Sequence, residues 1–225
     1  MIRGDVSAKK IALVFTGDEF ADGGEHIKQV LSKQQAKASF FFTGNFYGNA
    51  GFATLIEGLN KDGHYLGAHS DKHLLYCDWT KRDSLLVTQK QFSKDLRDNY
   101  RKMAKYGVSK QDAPYFLPPY EWYNQSISNW TKEEGLQLVN FTYGTRSAAD
   151  YTYPEMGNRY VSSETILQSI FALEAKDPSG LNGFMLLLHI GTDPRRTDKF
   201  YYRLEELLVQ LKQKGYEFVR LEEVL

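Results

Sequence analysis

Two histidines four residues apart, His69 and His73 in the stretch Gly67-Ala68-His69-Ser70-Asp71-Lys72-His73, are the side chains whose types and spacing point most directly to chemistry. Imidazoles at that spacing can turn toward one point, and neutral imidazole is a good ligand for a divalent metal of the zinc or cobalt type. Two His and one carboxylate form a ligand set that leaves positions open for water. Water on such a metal has a pKa of about 7, which makes hydroxide available at neutral pH. Asp18 is the carboxylate chosen to complete the set, although an Asp beside a glycine serves equally well in a turn or at an N-cap. His189, at the end of the apolar run 183–188, is placed to protonate a leaving amine. A His-x-x-x-His pair taken alone is weak evidence; the elements around it carry the rest.

Those elements alternate. Apolar, β-forming runs at Lys10 to Phe15, Ala38 to Thr43, Tyr65 to Ala68, Pro114 to Leu117, Gln137 to Phe141, Gly183 to Leu188 and Tyr216 to Arg220 read as strands. Helical spacing appears between them: Ile27, Val30 and Leu31; Phe52 to Leu59; Phe92, Leu96, Tyr100 and Met103; Asn124 to Glu134; Glu164 to Ala175; Phe200 to Lys214. The polar stretch Thr142 to Ser162 reads as a long loop, and loops of that length are usually functional or disordered. Seven such units with strands apolar on both faces predict a parallel sheet flanked by helices, an α/β barrel or incomplete barrel, with a doubly wound sheet as the alternative. No linker or repeat divides the chain, so residues 1–225 are expected to form a single domain. In a barrel the chemistry sits at the C-terminal ends of the strands. Each polar residue of interest follows such an end: Asp18 and Glu19, His69 and His73, Pro119 and Tyr120, Arg146 and Asp150, His189 and Asp193.

The 28 basic and 28 acidic residues balance, which gives no electrostatic case for nucleic acid or an anionic membrane. No run of about 20 apolar residues suggests membrane insertion, and the first residues lack the apolar core of a signal peptide. Cys77 stands alone, so no disulfide within the chain is expected. The 15 Tyr, 14 Phe and 3 Trp suit sugar-stacking surfaces as well as a core.

The order and spacing of these residues resemble the polysaccharide deacetylases of carbohydrate esterase family 4, which share the NodB homology domain. Phe15-Thr16-Gly17-Asp18-Glu19 is similar to that family's first motif, Thr-Phe-Asp-Asp-Gly, and Ala38 to Gly44 to its second-strand signature. His69-Ser70-Asp71-Lys72-His73 meets the second motif in full; Leu117-Pro118-Pro119-Tyr120 resembles the third, Arg-x-Pro-Tyr, and Leu187-Leu188-His189 the fifth. The fourth, an Asp followed by Trp, is met loosely by Asp150-Tyr151. The resemblance implies a distorted (β/α)7 barrel in which Asp18, His69 and His73 hold a divalent metal, zinc first, with cobalt, nickel or manganese as alternatives. It implies deacetylation of an acetylated carbohydrate, with His189 as proton donor and a backbone N–H near Tyr120 steadying the oxyanion. Tyr120, Trp122, Tyr123 and Tyr151 are expected on the sugar side. A secreted or periplasmic location follows from the family's polymeric substrates.

Two departures are coupled. The family's base Asp corresponds to Gly17, and the arginine that orients it corresponds to Leu117. Glu19 and Asp193 are therefore the expected substitutes for the base, with Arg146 a candidate for the space the missing arginine leaves. The rival expectation is a catalytically reduced relative that binds glycan or serves other domains of a longer chain. A glycoside hydrolase on a similar barrel would need two opposed carboxyl groups about 5–10 Å apart and leave the histidine pair unexplained.

Overall fold

The structure, a computed structural model, describes all residues from Met1 to Leu225. Its sheet is built on β1 (Lys10–Gly17), joined in chain order by α1 (Gly24–Lys33), β2 (Ser39–Phe42), α2 (Gly44–Gly48), α3 (Ala53–Lys61), β3 (Tyr65–Ala68) and α4 (Gln89–Met103). The second half adds β4 (Tyr115–Phe116), α5 (Gln125–Glu133), β5 (Gln137–Leu138), α6 (Ser163–Lys176), β6 (Phe184–His189), α7 (Leu204–Gln213) and β7 (Glu217–Val219). Every pairing is parallel and the strands run in the order β5-β4-β3-β2-β1-β6. β7 joins β1 at Lys10–Ala12, below the point where β2 takes the same edge at Val14–Gly17, while β6 covers the opposite edge from Ile11 to Thr16. The strands curl into the distorted (β/α)7 barrel expected.

The gap between β5 and β6 is bridged without a ladder. The Thr142 N–H donates to the Met185 carbonyl at 3.0 Å, and Asn140 and Gly4 donate to the carbonyls of Met1 and Gly183, each at 2.8 Å. The strands are apolar because both faces are covered: Ile11 to Phe15, Phe40 to Phe42 and Phe184 to Leu188 are all buried in one apolar core that reaches Val224.

Three expectations are corrected. β4 is shorter than Pro114 to Leu117, because Pro118 and Pro119 have no N–H to donate. β5 ends at Leu138 rather than Phe141, because the Asn140 side chain takes the Phe141 N–H at 2.8 Å and turns the backbone away. The segment read as one helix from Phe200 opens with a 3₁₀ turn, Phe200–Arg203, before α7. The 142–162 loop is ordered by the fully buried Arg196, whose guanidinium donates to the carbonyls of Thr152 and Val161 and to Ser163 Oγ.

Candidate active site

The C-terminal ends of β1, β3, β4, β5 and β6 deliver their loops to one pocket of about 820 Å³, lined by Asp18, Glu19, His69, His73, Tyr120, Glu121, Tyr151, His189 and Asp193 among others. Two of its walls differ in character.

On the first wall, His69 is buried at the end of β3. Its backbone N–H donates to Asn99 Oδ1 at 3.0 Å and its ring Nδ1 lies 2.8 Å from the Leu117 carbonyl. A carbonyl only accepts, so Nδ1 carries the hydrogen and the neutral ring keeps its lone pair at Nε2. Burial, with His73 nearby, holds its pKa well below the usual imidazole value. The His73 ring centre is 5.2 Å from that of His69, and its Nδ1 is 3.9 Å from Asp18 Oδ2. Burial lowers the pKa of His73 as well, against the opposing pull of Asp18. Asp18 is aimed by its other oxygen, which accepts from Thr43 Oγ1 at 2.7 Å and Asn45 Nδ2 at 3.1 Å. Thr43 caps α2, accepting from the Phe46 N–H, so this short helix exists to place Asn45 beside Asp18.

No group of three or more His, Cys, Asp or Glu side chains, Asp18, His69 and His73 included, is arranged in this structure to hold a metal ion. The chemistry of the donors, as distinct from their present placement, suits a divalent cation: two imidazoles held neutral by burial, one with its second nitrogen tied to a carbonyl, and one carboxylate beside them.

On the second wall, His189 Nδ1 and Asp150 Oδ1 are 2.5 Å apart, and Asp150 Oδ2 accepts the His189 backbone N–H at 2.9 Å. Burial works against a charged His189 ring, but the Asp150 carboxylate outweighs it and raises the pKa above the ordinary value. The ring thus carries a proton more readily than a free histidine, with Nε2 left to act.

The other expected residues divide. Tyr120 lines the pocket with its ring 4.3 Å from that of His73. Pro119 is buried beneath it, and Asp150 lies buried behind His189. Trp122 is outside the lining, its ring centre 5.6 Å from that of Trp79 and 4.1 Å from the Arg82 guanidinium carbon lying over it. Arg146 is exposed and stands outside the pocket. Glu19 is exposed at the mouth. Asp193 lines the pocket, but its carboxylate is gripped by the Arg195 guanidinium and pulled down to about 2.

Sequence reasoning missed three residues. Asp95 and Asn99, in successive turns of α4, brace the histidine loop: Asp95 accepts the N–H groups of Asp71 and Lys72 at 3.0 and 3.1 Å and the Tyr76 hydroxyl at 2.7 Å, while Asn99 takes the His69 N–H. Their signal was polar residues on the helix face that also carries Phe92, Leu96 and Met103. The third is Glu121, which lines the pocket half-buried, its carboxyl pushed up to about 7 by burial. Four of the five non-glycine residues with positive φ stand on the two loops concerned: Ser70 (74°), His73 (53°), Tyr120 (59°) and Glu121 (54°). Such strain collects where surrounding structure holds a functional geometry in place.

Gly17 is tightly enclosed. A Cβ there would meet Ile190 Cγ2 at 2.7 Å, Phe42 Cδ1 at 3.0 Å and Phe46 Cε2 at 3.0 Å.

The arrangement defines a class: a barrel with an imidazole–carboxylate ligand wall facing an aspartate-backed histidine. The polysaccharide deacetylase family model matches residues 3–139, and the chain belongs to that family. It is 28% identical to the uncharacterized protein YlxY of Bacillus subtilis over 198 residues, which cover 86% of this chain and 51% of that one. The chain therefore spans about half the length of that relative. Among solved structures it resembles the Bc1960 peptidoglycan N-acetylglucosamine deacetylase (TM-score 0.78, 20% identity, 100% of this chain and 91% of that one). It also resembles BA3943 of Bacillus anthracis, described as a family 4 pseudoenzyme, with TM-score 0.76, 16% identity, and 100% and 68% of the two chains covered. A mutant of BA3943 is described as having restored enzymatic activity.

Proposed function

We propose that this chain hydrolyses acetyl groups from an acetylated carbohydrate, and that residues 1–225 work as one barrel unit in doing so. The observation that carries this is the facing of two sets across one pocket: His69 and His73 beside Asp18, and His189 backed by Asp150. Asp18, His69 and His73 would hold a divalent metal, zinc first. When bound, that ion supplies Lewis acidity toward an acetyl oxygen and lowers the pKa of water.

The remaining steps fall to the chain. His189, protonated with the help of Asp150, gives its Nε2 proton to the departing amine or alkoxide. Tyr120, packed on His73, and Tyr151, with its ring 5.2 Å from that of His189, flank the place where an acetylated sugar would lie. With Gly17 and Leu117 at the positions of the family's base and its arginine, the proton acceptor must come from another carboxylate of the pocket. An extracytoplasmic location fits polymeric substrates such as peptidoglycan, the target named for the Bc1960 enzyme. No helix is long and apolar enough to cross a membrane.

The second reading, a glycan-binding member without turnover, is favoured by the apolar packing around Gly17 and by the likeness to BA3943. Metal analysis combined with acetate release from acetylated chito- and xylo-oligosaccharides, for wild type and His69→Ala, separates the two. The deacetylase predicts bound metal and acetate release, both lost in His69→Ala. Metal without acetate on any substrate supports the binding protein, and absence of bound metal removes the mechanism.

A further inference from the structure

We propose that Glu121 is the proton acceptor for the attacking water, standing in from the opposite wall for the carboxylate that Gly17 lacks; this rests on the deacetylase function proposed above. Glu121 lines the same pocket as Asp18, His69, His73 and His189. Its carboxylate makes no hydrogen bond and no ion pair in the structure, whereas Asp18 is held by Thr43 and Asn45, and Asp193 by Arg195. Glu19 is also free but exposed, an ordinary solvated carboxylate at the mouth.

The backbone argues in the same direction. Tyr120 and Glu121 take left-handed φ values of 59° and 54° in succession, at a cost of about 1–2 kcal/mol each that a glycine would avoid. The turn is pinned from outside the pocket: the Glu121 N–H donates to the Pro118 carbonyl at 3.0 Å, and Asn140 Nδ2 donates to the Glu121 carbonyl at 2.8 Å. A strained turn, anchored by its main chain, thus leaves one side chain unpartnered at the site. The titratable groups facing Glu121 are His189, Asp150 and Tyr143. Burial outweighs the favourable charge of His189 and lifts the carboxyl to about 7, matched to accepting a proton near neutral pH.

The step balances. Glu121 takes one proton of water as the water oxygen bonds to the acetyl carbon and the carbonyl electron pair moves onto its oxygen. When that pair returns, the bond from carbon to nitrogen or to the ester oxygen breaks, and the leaving atom takes the His189 proton. Acetic acid and the free amine or alcohol depart. Glu121 then holds the proton that His189 lacks, and its transfer to His189, directly or through solvent, restores the starting state.

The test is steady-state acetate release by metal-loaded wild type, Glu121→Gln, Glu121→Gly, Glu19→Gln and Asp193→Asn on N-acetylated chito-oligosaccharide and acetylated xylo-oligosaccharide. Glu121→Gln is expected to lower kcat by about 100-fold or more, with KM within about threefold and metal content equal to wild type. The acidic limb of the wild-type pH profile, near pH 7, should disappear with it. Glu121→Gly should melt higher than wild type, because it relieves the left-handed strain, yet be as slow as Glu121→Gln. A purely structural residue would not separate stability from turnover in this way. An independent readout needs no substrate. A carboxyl whose pKa is raised from 4.5 to about 7 binds more protons folded than unfolded, so wild type should lose stability relative to Glu121→Gln as pH rises across that window. Retention of kcat and of the acidic limb in Glu121→Gln overturns the assignment, as does loss of that limb in Glu19→Gln or Asp193→Asn instead. If wild type releases acetate and Glu121→Gln does so equally, the deacetylase stands and only Glu121 falls. If wild type releases none, both fall.

Discussion

The wall of the pocket that carries Asp18, His69 and His73 and the wall that carries His189, Asp150 and Glu121 are built differently. On the first, the candidate ligands are braced in detail, Asp18 by Thr43 and Asn45 and His69 by Asn99 and the Leu117 carbonyl. The ground immediately beside them is apolar: Gly17 abuts Ile190, Phe42 and Phe46, and Leu117 is buried. On the second, His189 and Asp150 are paired and a further carboxylate, Glu121, lines the cavity from a strained turn. The difference teaches, on the assignment proposed above, that candidate ligands and proton-transfer groups answer to separate constraints. Ligand donors must meet at one centre, whereas a base needs only reach of the attacking water. Under that proposal, the closed surroundings of Gly17 leave the role of base to a free carboxylate elsewhere in the pocket, Glu121.

Removing the first wall should have the largest effect. His69→Ala takes away a candidate ligand and leaves the buried Leu117 carbonyl without its donor. Metal affinity should fall by about 100-fold or more, beyond what loss of a supporting partner costs. The unpaired carbonyl should cost about 1–3 kcal/mol of stability. Inductively coupled plasma measurement of bound zinc and a denaturant melt check the two parts separately. Unchanged metal content would dissolve the distinction between the walls.

Breaking the second wall should cost nearly as much. Asp150→Asn keeps the shape but removes the charge that raises His189, so turnover should drop by about 10²–10⁴-fold. The proton donor must be protonated, and its activity is lost as pH rises through its pKa; the alkaline limb should therefore shift to lower pH in Asp150→Asn. Stability carries the same sign. A histidine raised above its ordinary value of 6.5 stabilises the fold fully below 6.5, and that contribution disappears as pH rises through the folded pKa. Melting curves of the two proteins should converge as pH rises past that point, and parallel curves would contradict the pairing.

The sharpest contrast between the walls is Gly17→Asp. Placing the family's base back where the motif puts it drives a Cβ to 2.7 Å from Ile190 Cγ2. Overpacking of this kind costs about 1–3 kcal/mol. Gly17→Asp alone should melt lower and gain no acetate release. A gain of activity in the single variant would show that the base position remained open.

How much of this was legible beforehand follows from what each residue answers to. β1, β2 and β6 were legible because strands buried on both faces must be apolar throughout. β4 and β5 were overdrawn because two-residue pairings depend on a proline and an asparagine that periodicity ignores. α2 was missed because Gly-Asn-Phe-Tyr-Gly has no helical pattern and is held by its Thr43 cap. His69, His73, Asp18 and His189 could be proposed from their places at strand ends. Glu121 could not: a glutamate after Pro-Pro-Tyr reads as a solvated loop residue, and only the left-handed turn at 120–121 brings it to the pocket. Arg146 failed in the converse way, since a charged residue in the right segment still has to face inward, and it does not.

The smallest effect should come from the rim that joins the two walls. Trp79 is 53% exposed, lines the pocket, and stands 5.5 Å from Tyr120 and 5.6 Å from Trp122, ring centre to ring centre. An exposed indole at the mouth holds substrate equally in the ground and transition states, so its loss should raise KM without lowering kcat. Aromatic stacking is worth about 0.5–1.5 kcal/mol, which corresponds to a rise in KM of about two- to tenfold for Trp79→Ala. The effect should grow with oligosaccharide length if the rim contacts sugars beyond the one that carries the acetyl group. A fall in kcat at unchanged KM would mean that Trp79 acts through Tyr120 on His73, and the rim would then belong to the first wall.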